Sequence, residues 1–332
     1  MTRCDVAMIG YADFISRKKH SASDFGFDPV WMPESAFDFQ AHVITKAVRK
    51  GRIGLFEDTG LGKTMQQLAI AENIIRHTNK RVLILTPLAV AFQFMDEAVR
   101  IGVDDIAHSK DGALAKKITV CNYERLHLLN PGDFVCVMLD ESSILKNFAG
   151  KTRDQIVAFI KQVPYRFLST ATPSPNDFIE LGNSSEALGY MGYMDMLTKF
   201  FKSNQNSVDS NNRNIGEKFY LKPHAERDFF AWVNQWSVMV KKPSDLGFSD
   251  KGYDLPALHV KKHMVNNSKT WCMNGQDSLF AMPAATMTEV REEQKVTVTE
   301  RCERAVQLAD GKTSVYWCNL NDESELLATL DR

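Results

Sequence analysis

No run of apolar residues in this sequence is long enough to cross a bilayer as a helix. The longest, VLILTPLAVAFQF from Val82 to Phe94, is broken by Thr86 and Pro87 and falls short of the roughly 20 residues a span needs. No membrane partner is expected. The N-terminus, MTRCDVAMIGYADFISRKKH, lacks the apolar stretch and small-residue cleavage site of an export signal, so a cytoplasmic location is expected. Cysteine is sparse: Cys4, Cys121, Cys136, Cys272, Cys302 and Cys318 are scattered, with no C-x-x-C pair. That pattern argues against both a disulfide framework and a zinc site. Charge of one sign is missing too, with 40 basic against 41 acidic side chains and a net charge of −1. What remains is an ordinary globular composition, 44% hydrophobic and 24% charged over 332 residues, enough for about two domains with cores of their own.

From Phe37 to Arg52 the apolar residues Phe39, Val43, Ile44, Ala47 and Val48 fall at helical spacing, with Gly51 placed to end the helix. A regular alternation follows. The pattern predicts strands over Ile53–Phe56, Val82–Leu85, Ile118–Cys121, Phe134–Leu139 and Arg166–Ser169. It predicts helices opening at Thr59–Thr64 and over Ala89–Ile101, Glu124–Leu129 and Thr152–Val163. Such alternation means α/β, a parallel sheet covered by helices, its strands near-continuously apolar because both faces are buried. After about Gly182 the regularity stops. The polar stretch 203–213 (SNQNSVDSNNR) reads as an exposed, mobile loop. Tyr190–Phe201 and Arg227–Val240 read as inserted helices, Thr288–Asp310 as a charged helix with a Glu300–Arg304 pair, and Ser314–Asn319 with Asp322–Leu330 as one strand and one helix.

The strongest chemical signal is Thr59-Gly-Leu-Gly-Lys-Thr64, between a strand and a helix. In a phosphate loop, glycines let successive N–H groups turn toward a polyphosphate, the helix N-terminus adds positive potential, a lysine reaches the phosphates and a hydroxyl holds magnesium. Gly60, Gly62, Lys63 and Thr64 suit those roles, although Glu57 stands where the strict pattern has glycine. The second signal is Asp140-Glu141, closing the apolar strand Phe134–Leu139. One carboxylate there can hold magnesium through water while its neighbour orients an attacking water as general base.

Taken in order, Phe39-Gln40, Asp58–Thr64, Thr86-Pro87, Asn122-Tyr-Glu124, Asp140–Ser143 with Ile144–Asn147, and Ser169–Pro173 with Asn176 resemble the motifs of superfamily-two helicases. Within these they are most similar to Swi/Snf-type DNA translocases, including compact versions encoded by phages and prophages. The resemblance covers about Phe37 to Asn183 well and continues more weakly to Gly247. It implies a RecA-like P-loop domain that uses ATP and Mg²⁺ on double-stranded DNA, in a bacterial or phage-infected cell. It further implies that Gln40 contacts adenine, that Thr59, Gly60, Gly62, Lys63 and Thr64 hold phosphate, and that Thr64 and Asp140 hold magnesium. Glu141, Asp140 and Lys63 would be catalytic, Ser169, Thr170 and Thr172 would couple nucleotide state to DNA grip, and Thr86, Tyr123, Lys241 and Lys242 would meet DNA.

On that resemblance the expected domains are an N-terminal segment 1–34, a first RecA-like ATP-binding domain 35–185, and a helical insertion 186–255. A linker with the charged helix, 256–312, and a truncated start of a second RecA-like domain, 313–332, follow. The family's second unit carries an arginine finger worth about 10³–10⁵ in rate, so the expected function is a helicase-like translocase that binds nucleotide and turns it over poorly alone. The alternative is a shortened homologue that acts without moving, as an interaction or inhibitor protein on a host or phage DNA-processing partner. Other basic clusters, Arg17–His20, Lys46 with Arg49, Lys50 and Arg52, and Lys261–His263, fit a solvated surface better than a DNA track in a chain of this net charge. The stripe Phe229, Phe230, Trp232 and Trp236 has the helical spacing of a core face.

Overall fold

A computed structural model describes residues 24–146, 151–203, 219–253, 256–265 and 287–331. The cluster Arg17–His20 lies outside the described residues, as does all of the expected loop 203–213 except Ser203. The chain divides into two compact units near residue 254.

The first unit is α/β. Helix α1 (Asp38–Lys50) buries Phe39, Val43, Ile44, Ala47 and Val48 and ends at Gly51, whose φ of 65° a side chain would strain. Next come β1 (Arg52–Glu57), α2 (Lys63–Thr78), β2 (Arg81–Thr86), α3 (Ala91–Ile101), β3 (Ile106–His108) and β4 (Ile118–Asn122). They are followed by β5 (Phe134–Asp140), α4 (Lys151–Ile160), β6 (Tyr165–Thr170), α5 (Leu181–Leu188), α6 (Tyr193–Phe200), the short antiparallel pair β7 (Phe201–Ser203) and β8 (Phe219–Leu221), α7 (Glu226–Trp236) and β9 (Ser237–Val240). Seven strands form one parallel sheet in the order β3-β4-β2-β5-β6-β1-β9. One strand, β6, therefore separates the phosphate-loop strand β1 from the acidic strand β5, a RecA-like arrangement.

Alternation along the strands fills two cores. Ile53, Leu55, Val82 and Ile84 pack with α1, α2 and α3 on one face, while Phe56, Leu83, Leu85 and Leu139 pack with α4 to α7 on the other. Phe229, Trp232 and Trp236 of α7 belong to the second core and leave Phe230 at its rim.

Three expectations need correction. The segment expected to be helical to Val240 turns at Ser237 into β9, because Ser237-Val-Met-Val240 has lost the helical period and finds an open edge on β1. The range 186–255 is therefore not wholly an insertion, since its end rejoins the main sheet. The short β3 was not foreseen in the sequence. The helix expected over Glu124–Leu129 is a 3₁₀ turn, Tyr123–Leu128.

The second unit has three described helices, α8 (Met287–Val296), α9 (Val298–Ala309) and α10 (Asn321–Leu330); Val298 and Cys302 of α9 and Leu327 of α10 form a small core. The expected single helix Thr288–Asp310 is thus two, parted at Thr297, and Arg304 donates to Gln307 rather than pairing with Glu300. The strand expected over Ser314–Asn319 is not formed: the segment has no regular secondary structure and no neighbouring strand among the described residues. Arg301 pairs with Glu323, which also accepts the N–H groups of Asn319 and Leu320. Among the described residues no helix is long and apolar enough to cross a membrane.

Candidate nucleotide site

The carboxyl ends of parallel strands are where loops can present main-chain N–H groups and side chains together. Here β1 delivers the loop 58–62. Asp58, Thr59 and Gly60 are exposed, Lys63 and Thr64 half-buried. Gly60 and Gly62 have φ values of 84° and 86°. A side chain on Gly60 would meet open space, whereas one on Gly62 would lie 2.4 Å from Gln40 Nε2. Gly62 also caps α2 with no side-chain acceptor, so the first N–H groups of a 16-residue helix remain available to an anion. Lys63 Nζ reaches back across the loop to the carbonyls of Glu57 and Asp58, both at 2.9 Å.

Gln40 lies beneath this loop, 4% exposed. Its Nε2 donates to Leu61 O at 2.9 Å and its Oε1 accepts the N–H of Phe37 at 3.0 Å. With each end of the amide holding one main-chain group, it braces the loop.

On the acidic side, lateral register aligns Asn122, Thr86, Asp140 and Ser169 across β4, β2, β5 and β6. Residues in one such row point to the same face, here the face covered by α2. Asp140 Oδ1 accepts from Gln67 Nε2 at 2.9 Å and Oδ2 from Thr86 Oγ1 at 3.1 Å. Burial raises the Asp140 pKa, opposed by those two hydrogen bonds and by Lys63. Tyr123 donates its hydroxyl to the main-chain O of Asp140 at 2.6 Å. Its own pKa is held well above the usual phenol value, by burial first and then by the two carboxylates, so it remains a neutral donor.

These contacts bear on two residues expected at DNA. Thr86 and Tyr123 have buried side chains, 0% and 6% exposed, with their hydroxyls turned to Asp140. Both side chains hold the acidic strand end.

Glu141 is exposed and has a φ of 52°, a left-handed conformation that a non-glycine residue adopts only at a cost. Its Oε2 accepts from Thr170 Oγ1 at 3.2 Å, and that hydroxyl in turn accepts the N–H of Thr172 at 3.1 Å. The end of β6 is thereby tied to the acidic residue. Ser169 is the Cα partner of Asp140 and is buried, with no partner for its hydroxyl.

Lys241 and Lys242 leave β9 on the exposed surface, at the strand end beside the phosphate loop, where Val240 O accepts Asp58 N–H at 2.9 Å. Lys242 also lies 3.4 Å from Asp250. The other basic clusters differ. Arg49 pairs with Asp28, Lys50 with Asp24, and Arg52 donates to Pro164 O, whereas Lys261, Lys262 and His263 lie exposed in the second unit.

Two site residues escaped the sequence reading. Gln67 is one turn beyond Lys63 and so on the same helix face, a signal that was available. Asn122, 1% exposed with both ends of its amide unpartnered, gave no signal beyond its place in the Asn-Tyr-Glu motif.

No protein-family model matches the sequence, and no curated protein matches it. Among solved structures the chain is similar to the Sulfolobus solfataricus SWI2/SNF2 ATPase core in complex with dsDNA, at 18% identity over 64% of this chain and 46% of that one, with a TM-score of 0.49. A second structure, the S. solfataricus SWI2/SNF2 ATPase core domain, gives 18%, 65%, 48% and 0.45 for the same quantities. The UvsW helicase from bacteriophage T4 gives 15%, 53%, 64% and 0.40. The chain thus spans about half to two thirds of the length of these structures. At such identities they are likenesses of chain path, and the roles proposed below rest on this chain's own residues.

Proposed function

We propose that the chain is a nucleotide-binding ATP hydrolase of the superfamily-two helicase type, akin to Swi/Snf translocases, acting on double-stranded DNA. The observation that carries this reading is the meeting, at one end of a parallel sheet, of a left-handed glycine loop on an uncapped helix with a braced acidic strand end. ATP would enter with its phosphates on the loop 58–62 and the N-terminus of α2, and Lys63 would turn from the Glu57 and Asp58 carbonyls to the phosphates. Glu141, bonded to Thr170, would accept a proton from a water attacking the γ-phosphate in line.

Magnesium fits the residues present. Asp140 has both oxygens engaged, and the neighbouring Ser169 hydroxyl and Gln67 Oε1 are buried without partners. A hydrated ion held through water by Asp140, with Thr64 as the hydroxyl ligand, suits that donor set. When bound, it would neutralise charge on the phosphates.

Lys241 and Lys242 support contact with the DNA backbone, because they are exposed at the strand end next to the loop. Thr170 and Thr172 provide a path by which the state of the site reaches the end of β6. The second unit has three short helices and no sheet among its described residues; on the reading that an arginine finger comes from a second motor unit, turnover without that unit should be slow.

The test is calorimetry with Mg-ADP and Mg-ATP. Lys63→Ala should weaken binding roughly 10- to 100-fold, the scale of a lost hydrogen bond to a charged group. Equal binding by both proteins would remove the phosphate-loop assignment.

A further inference from the structure

One ionisable group at the site has no part in the chemistry above. Glu57 is the last residue of β1, at the position a strict phosphate loop gives to glycine, and it is 1% exposed. Its Oε2 accepts from Gln66 Nε2 at 2.9 Å, while its Oε1 is buried with no hydrogen-bond partner. Gln66 Nε2 also donates to Leu61 O, the carbonyl held from below by Gln40. The Glu57 carboxyl is therefore connected, through one amide, to the crest of the loop.

The groups around Glu57 set its charge. From α2 come the Lys63 ammonium, bonded to the main-chain O of Glu57 itself, and the neutral amide of Gln66. From the turn after β9 comes Tyr253, a phenol whose pKa is raised by burial and then by the Glu57 charge. From the neighbouring strands come Thr170 beside Phe56, and Val240, the Cα partner of Glu57. The next residue, Asp58, turns its carboxylate to its own loop and bonds Thr59 N–H. Burial pushes the Glu57 pKa up to about 7, against the opposing pull of Lys63 and Gln66. In the nucleotide-free chain the group is thus poised between acid and carboxylate, with Lys63 as the cation favouring the carboxylate.

A polyphosphate changes both terms. It draws the Lys63 ammonium away from the Glu57 carbonyl, and it brings several negative charges to the other side of the same short loop. Each change disfavours a buried carboxylate. We propose that Glu57 is a proton-linked positioning residue of the phosphate loop, taking up one proton from solvent at Oε1 as nucleotide enters, so that nucleotide and proton bind together. One O–H bond forms, none breaks in the protein, and the chain's charge rises by one. The sign follows from linkage: the bound state holds more protons than the free state, so affinity is greatest at low pH and falls as pH rises from about 7 toward the still higher value in the complex. One linked proton permits at most about a tenfold change per pH unit.

This inference rests on the nucleotide reading, and the experiment separates the two. Mg-saturated ADP is titrated into the full chain at pH 7 in two buffers of different ionisation enthalpy, and again at intervals between about pH 6.5 and 8, for the wild type and for Glu57→Gln, which keeps the shape and cannot titrate. The wild type should take up on the order of half a proton per nucleotide and lose up to about tenfold in affinity across that range, while Glu57→Gln should bind with buffer-independent heat and a flatter profile. Nucleotide binding by the wild type with no proton uptake, or equal uptake by the variant, would overturn the role of Glu57 and leave the phosphate-loop assignment standing. No binding by either protein would remove both. Should Glu57→Gln fail to fold, the wild-type profile decides, since a flat one excludes a linked proton.

Discussion

On the phosphate side of the site Asp58, Thr59 and Gly60 are exposed, and a half-buried lysine is bonded to main-chain carbonyls. On the acidic side, two strand positions across the sheet, Asp140 is 6% exposed and receives Gln67, Thr86 and Tyr123 at once. The first arrangement can be exchanged at lower cost, because Lys63 is half-buried and its hydrogen bonds are to two main-chain carbonyls, not to a buried side-chain network. The second cannot, because each partner removed would strand a buried polar atom. A site that must admit and release a ligand yet keep its acid groups fixed has its yielding part in the loop and its rigid part in the sheet.

The difference can be tested by disturbing each side in turn. The largest effect is expected from Glu141→Gln, which keeps the left-handed turn and the bond to Thr170 but cannot accept a proton. Whatever ATP turnover the chain shows should fall by about 10²–10⁴, while calorimetric ADP affinity stays unchanged. If affinity and turnover fell together, Glu141 would be shaping the site rather than acting on water.

Thr86→Val and Tyr123→Phe come next. Each deletes one buried donor to Asp140 and should lower unfolding stability in urea by about 1–3 kcal/mol. Thr59→Ala on the exposed loop should stay within about 0.5 kcal/mol of wild type. Comparable losses on both sides would erase the contrast.

The smallest effect belongs to the surface. Changing Lys241 and Lys242 together to Ala should weaken duplex binding, measured by fluorescence anisotropy, by severalfold and reduce the salt slope by about two. An unchanged slope would mean that DNA passes elsewhere.

Much of this was legible in the sequence, and the failures share a cause. The glycine loop, the acidic pair and five of the sheet strands announce themselves through local patterns: apolar runs, glycines at fixed spacing, an acid after a strand. That the side chains of Thr86 and Tyr123 turn to Asp140 was not legible, because resemblance knows position in a motif but not the direction of a side chain. Their direction is set by lateral register across β2, β4 and β5, a non-local property. Ser237–Val240 was read with the helix before it because Phe229, Trp232, Val233 and Trp236 sustain a helical period to that boundary, and the edge that captures it belongs to residues far earlier in the chain. Ile106–His108 is too short to show a period of its own. Glu57 was visible as a departure from the glycine pattern, but its burial was not.

That late strand also bears on the order of assembly. Gly54 has Leu168 as its Cα partner on one side and Ser237 on the other, so the strand carrying the phosphate loop acquires neither neighbour from nearby sequence. As the polypeptide leaves the ribosome, Arg52–Glu57 must wait for residues 165–170 and then for 237–240. Closing loops of that length is a slow step. Until it is complete, an apolar strand presents a bare edge to solvent or to other nascent chains. The candidate nucleotide site is thus encoded early in the chain and completed late, and a folding helper that shields this strand during synthesis would act on the same element that carries the proposed phosphate loop.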